Sequence, residues 1–304
     1  MSIGRLFHLI HMTGDLPALD AWYDDVFSVR RGFLDNNYMP GEKRDASLVL
    51  LGDSVIEPLA PAFRIEGWDQ MPLGRFYNRF GNHWHSIAWY SDDAGEMWQR
   101  CVDGGIRVFV EGGVLTAERP GPKSAIMTHP KDTITQLEFF NPAGTIDARD
   151  PRINGSDFDS EWWIKNHPVK TPGLAYATVL TRDLDRAVKV YSGLLGGALL
   201  HRSTSALTGT EDAYVQLGDT VVQLSRPNED GTVAAADMER NNECLHAATF
   251  RVLDLDDTQR YFESKGIASL ARDDHTLITD PATTHGAAFR WTTWDVPGGP
   301  RDQS

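Results

Sequence analysis

Asn82–Asp93 reads NHWHSIAWYSDD, with His83 and His85 two residues apart in a run of strand-forming residues. Successive side chains of a strand point to opposite faces, so residues spaced by two share one face and the two imidazoles are expected to point the same way. Downstream, HPKDTITQLEFF (His129 to Phe140) reads as a turn and a second strand that carries one acidic residue, Glu138, among apolar neighbours. A carboxylate in such a place needs a partner. The stretch is therefore read as half of a divalent-metal site, with the preceding segment supplying the other half.

Working outward, the same grammar recurs four times: a strand, a helix opened by Asp, then several strands. In the first unit RLFHLIHMT leads to Asp15, a helix N-cap, with Leu16, Leu19, Tyr23 and Val26 on one stripe, and the unit closes on LGDSVIEPLAP (Leu51 to Pro61). NHWHSIAWYSDD opens the second unit, whose helix ends at Gly104-Gly105 and whose last strand carries Glu138. NPAGTIDARDPRINGSDFDSEWW shows no period and reads as a linker with an aromatic anchor at Trp162-Trp163. The grammar then restarts: GLAYATVLTRDLDRAVKVYSGLLGG places Asp183 where Asp15 stood, LGDTVVQLSRP (Leu217 to Pro227) echoes LGDSVIEPLAP, and ECLHAATFRVLDLDDTQRYFESKGI opens the fourth unit. The expected fold class is α+β, with four βαβββ modules in two domains. Residues 1–148 form the first domain, 149–170 the linker and 171–304 the second.

His8 on the opening strand and Glu57 on the closing strand of unit one occupy places equivalent to His85 and Glu138 in unit two. Pairing of the two units round a cleft would bring one His and one Glu from each together. Two imidazoles and two carboxylates suit a borderline divalent ion, namely Zn, Ni, Co, Mn or Fe, with positions left open for substrate or water. His83 is held in reserve as the second-strand ligand. His11 falls on the opposite face from His8, His129 shapes a turn, Trp84, Trp89 and Trp98 are core residues, and Phe76 and Tyr77 are expected to pack a helix.

GRFYNRFGNHWHSIAWYSDD and the HPKDT turn resemble methylmalonyl-CoA epimerase, and the chain is identified as a member of the vicinal oxygen chelate superfamily, which includes glyoxalase I and the extradiol dioxygenases. The resemblance implies two glyoxalase-like domains with curved mixed sheets round a cleft, and one divalent metal ion per chain held by His8, Glu57, His85 and Glu138. Counted back from Asp93 without a gap, the family ligand falls on Ser86, so a strand bulge is expected to bring His85 into place. The epimerase's additional glutamate is missing where Ala46 and Ser47 stand. In the second half Tyr176, Gln223 and Arg290 match His8, Glu57 and Glu138, leaving only His246, so that domain is expected to pack, shape the pocket or mediate dimerisation.

The activity implied is that of an isomerase, epimerase or lyase acting on vicinal oxygens of a small molecule through an enolate-type intermediate, with Glu138 as base and Glu57 as the alternative. Rival readings are an Fe(II) ring-cleaving dioxygenase on His8, His85 and Glu138, a metal-dependent hydrolase, and a metal-free ligand-sequestering protein of the bleomycin-resistance type. A net charge of −14 argues against a nucleic-acid partner, and the two cysteines, Cys101 and Cys244, imply neither a disulfide framework nor a Cys-based metal site. No apolar run has membrane-helix length and the N-terminus has no signal-peptide pattern, so a cytoplasmic location without membrane association is expected. Homodimerisation is left open.

Overall fold

A computed structural model describes residues 3–31, 34–110, 113–143, 150–155 and 158–302. The expected domain boundary at 148 and the first residue of the linker lie outside the described residues. Among the described residues no helix is long and apolar enough to cross a membrane.

Two mixed sheets hold the structure, one built from strands between Ile3 and Phe140 and the other from strands between Gly173 and Thr292. Their centres follow one plan. In the first, Ile3–Met12 lies antiparallel to His83–Ser91, and each is flanked on its other side by a parallel strand, Ser54–Pro61 and Gln136–Phe140 respectively. In the second, Gly173–Leu180 and Cys244–Arg251 form the antiparallel seam, flanked by Thr220–Pro227 and Ala288–Thr292. This is the curved, mixed α+β architecture read from the repeats. All nine residues of His83–Ser91 are buried, because helices cover one face and the other forms a cavity.

Each module opens its helix on an aspartate. The carboxylate oxygens of Asp15, Asp93, Asp183 and Asp254 accept from the backbone N–H of Ala18, Glu96, Arg186 and Asp257 at 2.8–3.0 Å. These bonds satisfy donors that the first helical turn leaves unpaired.

The echoed LGDS and LGDT turns have a reciprocal task. Gly52 and Gly218 have φ of 62° and 58°, the left-handed region that favours glycine. A Cβ on Gly52 would stand 2.4 Å from the Pro172 carbonyl carbon, and one on Gly218 1.8 Å from the Gly4 oxygen. Asp53 N–H donates to Pro172 O at 2.9 Å and Asp219 N–H to Gly4 O at 3.3 Å. Each half therefore docks its turn on the first strand of the other. The halves share one apolar core, in which Phe27 stacks on Trp291 with centroids 5.6 Å apart.

The linker is fastened to the first helix, the first strand and the LGDS turn. Trp163 is fully buried and its indole N–H donates to Phe27 O at 2.9 Å. Arg152 pairs with buried Asp150 at 2.6 Å and donates to the carbonyls of Phe7 and Asp53, both at 3.0 Å. Tyr90 Oη donates to Asp150 at 2.8 Å. Burial pushes the Asp150 carboxyl up, and the Arg152 hydrogen bond and charge more than reverse it, so the net shift is downward. Asp150→Asn leaves the Arg152 charge buried without its counter-ion and is expected to cost about 3–5 kcal/mol at pH 7 in urea unfolding. A depressed carboxyl stabilises above its unfolded pKa of about 3.9 and loses that contribution as pH falls through the lower native value. The gap between wild type and variant is therefore expected to narrow on acidification below pH of about 4.

Candidate metal centre

The residues expected to converge lie on four adjacent strands. His8 pairs with Ala88, and Ala88 with Glu138, so His8 and Glu138 share one row across the sheet. Glu57 pairs with Ile10, two residues along the same face. Between Leu9↔Ile87 and His11↔Trp84 the register slips by one, so that two residues, His85 and Ser86, oppose Ile10 alone. This is the bulge the spacing called for. It turns consecutive residues inward: His85 lines the cavity, and Ser86 reaches Glu138. His8, Glu57, His85 and Glu138 are 3%, 4%, 7% and 6% exposed.

His8 Nε2 stands 3.2 Å from Glu57 Oε2 and 3.8 Å from Glu138 Oε2. The second oxygen of each carboxylate is committed elsewhere. Glu57 Oε1 takes Arg44 Nη1 at 3.0 Å, and Glu138 Oε1 accepts from Ser86 Oγ at 2.6 Å and from Gln136 Nε2 at 2.9 Å. The single Ser86 proton goes to the carboxylate, so the 2.9 Å contact between His85 Nδ1 and Ser86 Oγ requires the proton on Nδ1. Nε2 of His85 is then the nitrogen with a lone pair. Burial drives this imidazole down to about 4 despite the Glu138 charge, which keeps it neutral. Burial alone would raise the Glu138 carboxyl, but the hydrogen bond and charge of His8, then His85 and Ser86, bring it to about 2.

A divalent ion fits this donor set. Outer partners fix one atom of each carboxylate and one nitrogen of His85, the arrangement that orients metal ligands. The contacting charges balance too: Glu42, Glu57 and Glu138 face one guanidinium, Arg44, an excess of two negative charges. The set is nevertheless open. Among the described residues, the one trio of His, Cys or acidic donors lying within 4.8 Å of one another is His83, Asp237 and Cys244.

The cavity measures about 640 Å³ and, among the described residues, is lined only by residues between Phe7 and Phe140. The volume suits a small organic ligand. Its walls are apolar, with Ile10, Leu73, Met127 and Phe140 among them. Phe76, expected to pack a helix, does so as a wall of the cavity, with its ring edge-on to His85 at 4.5 Å. Glu42 and Arg44 were not anticipated. Arg44 opens a short strand, Arg44–Ala46, paired with Ser54–Pro61, and Glu42 lies in the turn just before it.

His83, the reserve ligand, does not line the cavity among the described residues; its Nε2 lies 3.2 Å from Asp237 of the other half. In that half the rows recur, Tyr176↔Thr249↔Arg290 and Thr178↔Gln223, and the register slips again at His246. The side chains close on themselves instead. Thr178 Oγ1 donates to Gln223 Oε1 at 2.7 Å, Gln223 Nε2 donates to Tyr214 Oη at 2.9 Å, and buried Arg290 stands where the second carboxylate would be.

No protein-family model and no curated protein matches the sequence. Solved structures do. A triple mutant of 4-hydroxymandelate synthase from Streptomyces coelicolor matches with a TM-score of 0.69 at 12% identity, over 96% of this chain and 92% of that one. Methylmalonyl-CoA epimerase from Mycobacterium tuberculosis matches over 40% of this chain and 87% of its own, with a TM-score of 0.37 at 22% identity. The first likeness establishes the fold alone: the chain has a two-domain architecture of glyoxalase-like, curved mixed sheets.

Ser86→Ala removes the acceptor that sets the His85 tautomer and a donor to Glu138. It is expected to weaken divalent-ion binding about 10–100-fold at the site that Glu138→Gln abolishes. Chelator-competition titration, with far-ultraviolet dichroism as the folding control, measures it.

Proposed function

We propose that the chain is a divalent-metal-dependent enzyme of the isomerase, epimerase or lyase kind, acting on two neighbouring oxygens of a small organic substrate. The observation that carries this reading is the split role of each site residue. Arg44, Ser86 and Gln136 hold one side of Glu57, His85 and Glu138; this leaves Oε2 of both glutamates beside His8 Nε2 and the Nε2 of His85 unengaged by Ser86. The ion, when bound, supplies Lewis-acid stabilisation of the negative charge that proton loss from carbon leaves on the substrate oxygens, worth several kcal/mol. His8, Glu57, His85 and Glu138 would hold the ion, and the two neighbouring oxygens of a substrate would complete its ligands.

The proton needs an acceptor that is not itself tied to the ion. Glu138 and Glu57 are the candidates read from the sequence, and both stand in the ligand set. Glu138, held down to about 2, is a weak base. Glu42 is better matched: it lines the same cavity, and burial pushes its carboxyl up against the pull of Arg44. We assign proton transfer to Glu42, with Arg44 Nε at 2.7 Å fixing its orientation. The apolar walls exclude water from the reacting carbon.

A second reading rests on the Arg44–Glu57 ion pair. If Arg44 keeps Glu57 out of the ligand set, His8, His85 and Glu138 remain as the two-His-one-carboxylate triad of an Fe(II) ring-cleaving dioxygenase.

Metal-loaded protein is expected to exchange a carbon-bound hydrogen for solvent deuterium in a screen of 2-hydroxy ketones, acyl-CoA thioesters and glutathione hemithioacetals. Glu42→Gln should lower that exchange about 10²–10⁴-fold and retain the ion, whereas Glu138→Gln should lose both. Oxygen uptake with catechols by the Fe(II)-loaded chain, kept in Glu57→Gln, would replace the first reading with the second.

A further inference from the structure

Where the halves meet, strand His83–Ser91 runs beside strand Cys244–Arg251, and His83 and Cys244 hold equivalent places, each two residues before the histidine at the register slip. The Nδ1 of His83 lies 2.8 Å from the Trp84 carbonyl oxygen, which only accepts, so Nδ1 carries a proton. Its Nε2 faces the Asp237 carboxylate at 3.2 and 3.3 Å. Both nitrogens of a buried ring thus face acceptors, so either a second ring proton or a metal ion joins Nε2 to the carboxylate. Cys244 Sγ is the third corner, 3.7 Å from Asp237 Oδ2. The carboxylate is anchored from behind by Asn241 Nδ2 on Oδ1 at 2.7 Å and His246 Nδ1 on Oδ2 at 2.5 Å.

Without an ion, a proton on His83 and the Cys244 S–H would each hydrogen-bond to the carboxylate; a metal ion would take the place of both protons at the same distances. Tetrahedral zinc with ordinary bond lengths separates its ligand atoms by roughly 3.3 Å for N···O and 3.6 Å for O···S. Here Nε2···Oδ2 is 3.3 Å and Oδ2···Sγ is 3.7 Å. We propose that His83 Nε2, Asp237 Oδ2 and Cys244 Sγ bind a zinc-class divalent ion that pins the two halves together, separate from the cavity site. Binding replaces the Cys244 thiol proton with the ion and releases that proton to solvent, so thiolate and carboxylate neutralise the two positive charges. The backbone carbonyl on His83 Nδ1 and the His246 and Asn241 contacts are the outer partners such a site requires. The strand so pinned also carries His85.

Cobalt(II) tests this on the chelator-stripped full chain, because among the described residues no cysteine lines the cavity and only a cysteine ligand produces an intense near-ultraviolet thiolate-to-cobalt band. The band is expected to saturate at one equivalent in wild type, to persist in Cys101→Ser and in Glu138→Gln, and to vanish in Cys244→Ser with the loss of one bound ion. Persistence in Cys101→Ser alone assigns the band to Cys244, the other of two cysteines, should Cys244→Ser fail to fold. Absence of a sulfur band at saturating cobalt, or a band unchanged in folded Cys244→Ser, overturns the proposal. Failure of the cavity site would leave the sulfur band intact, so the two assignments fail separately.

Discussion

One extra residue in the strand His83–Ser91 is the constraint on which the site depends. Regular alternation lets only one of two consecutive residues face the cavity. Opposite Ile10 the strand carries two, and both His85 and Ser86 turn inward. The slip also serves the other face. Trp84 and Ile87, three apart, both pack in the helix-covered core, which a regular strand would forbid. Chemistry on one side and packing on the other are satisfied by the same irregularity.

The second constraint is charge. Carboxylates on the floor of an apolar cavity are costly unless each finds partners. Arg44 answers for two of them: its planar fork gives Nε to Glu42 and Nη1 to Glu57. Glu138 is served by neutral donors, Ser86 and Gln136, so its charge is solvated locally without being cancelled. Leu73, Phe76, Met127 and Phe140 line the same cavity, together with Asn37, Arg75, Arg79 and His129.

The sequence made the repeat legible because each module repeats a local signal. An aspartate caps the helix, an apolar stripe follows, and LGDS or LGDT closes a two-residue turn. The offset at Ser86 was legible as a counting misfit, and its cause was a bulge. What depends on distant partners was not readable. His83 looked equivalent to His85, yet its partner Asp237 lies 154 residues away and reaches it only because the halves dock through Gly52 and Gly218. Arg44 and Glu42 precede the closing strand in an irregular stretch whose register with Ser54–Pro61 no local pattern encodes. Phe76 satisfied the rule for a packed helix face and still became a wall, because its neighbour is His85 rather than a closed core.

The second half separates what the fold needs from what the site needs. It repeats the rows and the slip at His246 to the residue, yet Gln223 is neutral and Arg290 reverses the sign of its counterpart. With no excess negative charge there is no electrostatic demand for a cation. Gln223 bridges Thr178 and Tyr214, and Tyr176, Tyr214 and Trp294 pack over them with centroids 5.3–6.4 Å apart. Leu245 and Ala248, flanking the slip, nevertheless occupy the core as Trp84 and Ile87 do. A bulge kept where the donor set is absent is kept for packing. Its histidine, no longer aimed at a cavity, anchors Asp237. In the first half the same backbone feature turns His85 toward the cavity that Glu57 and Glu138 also line, with Ser86 bonded to Glu138.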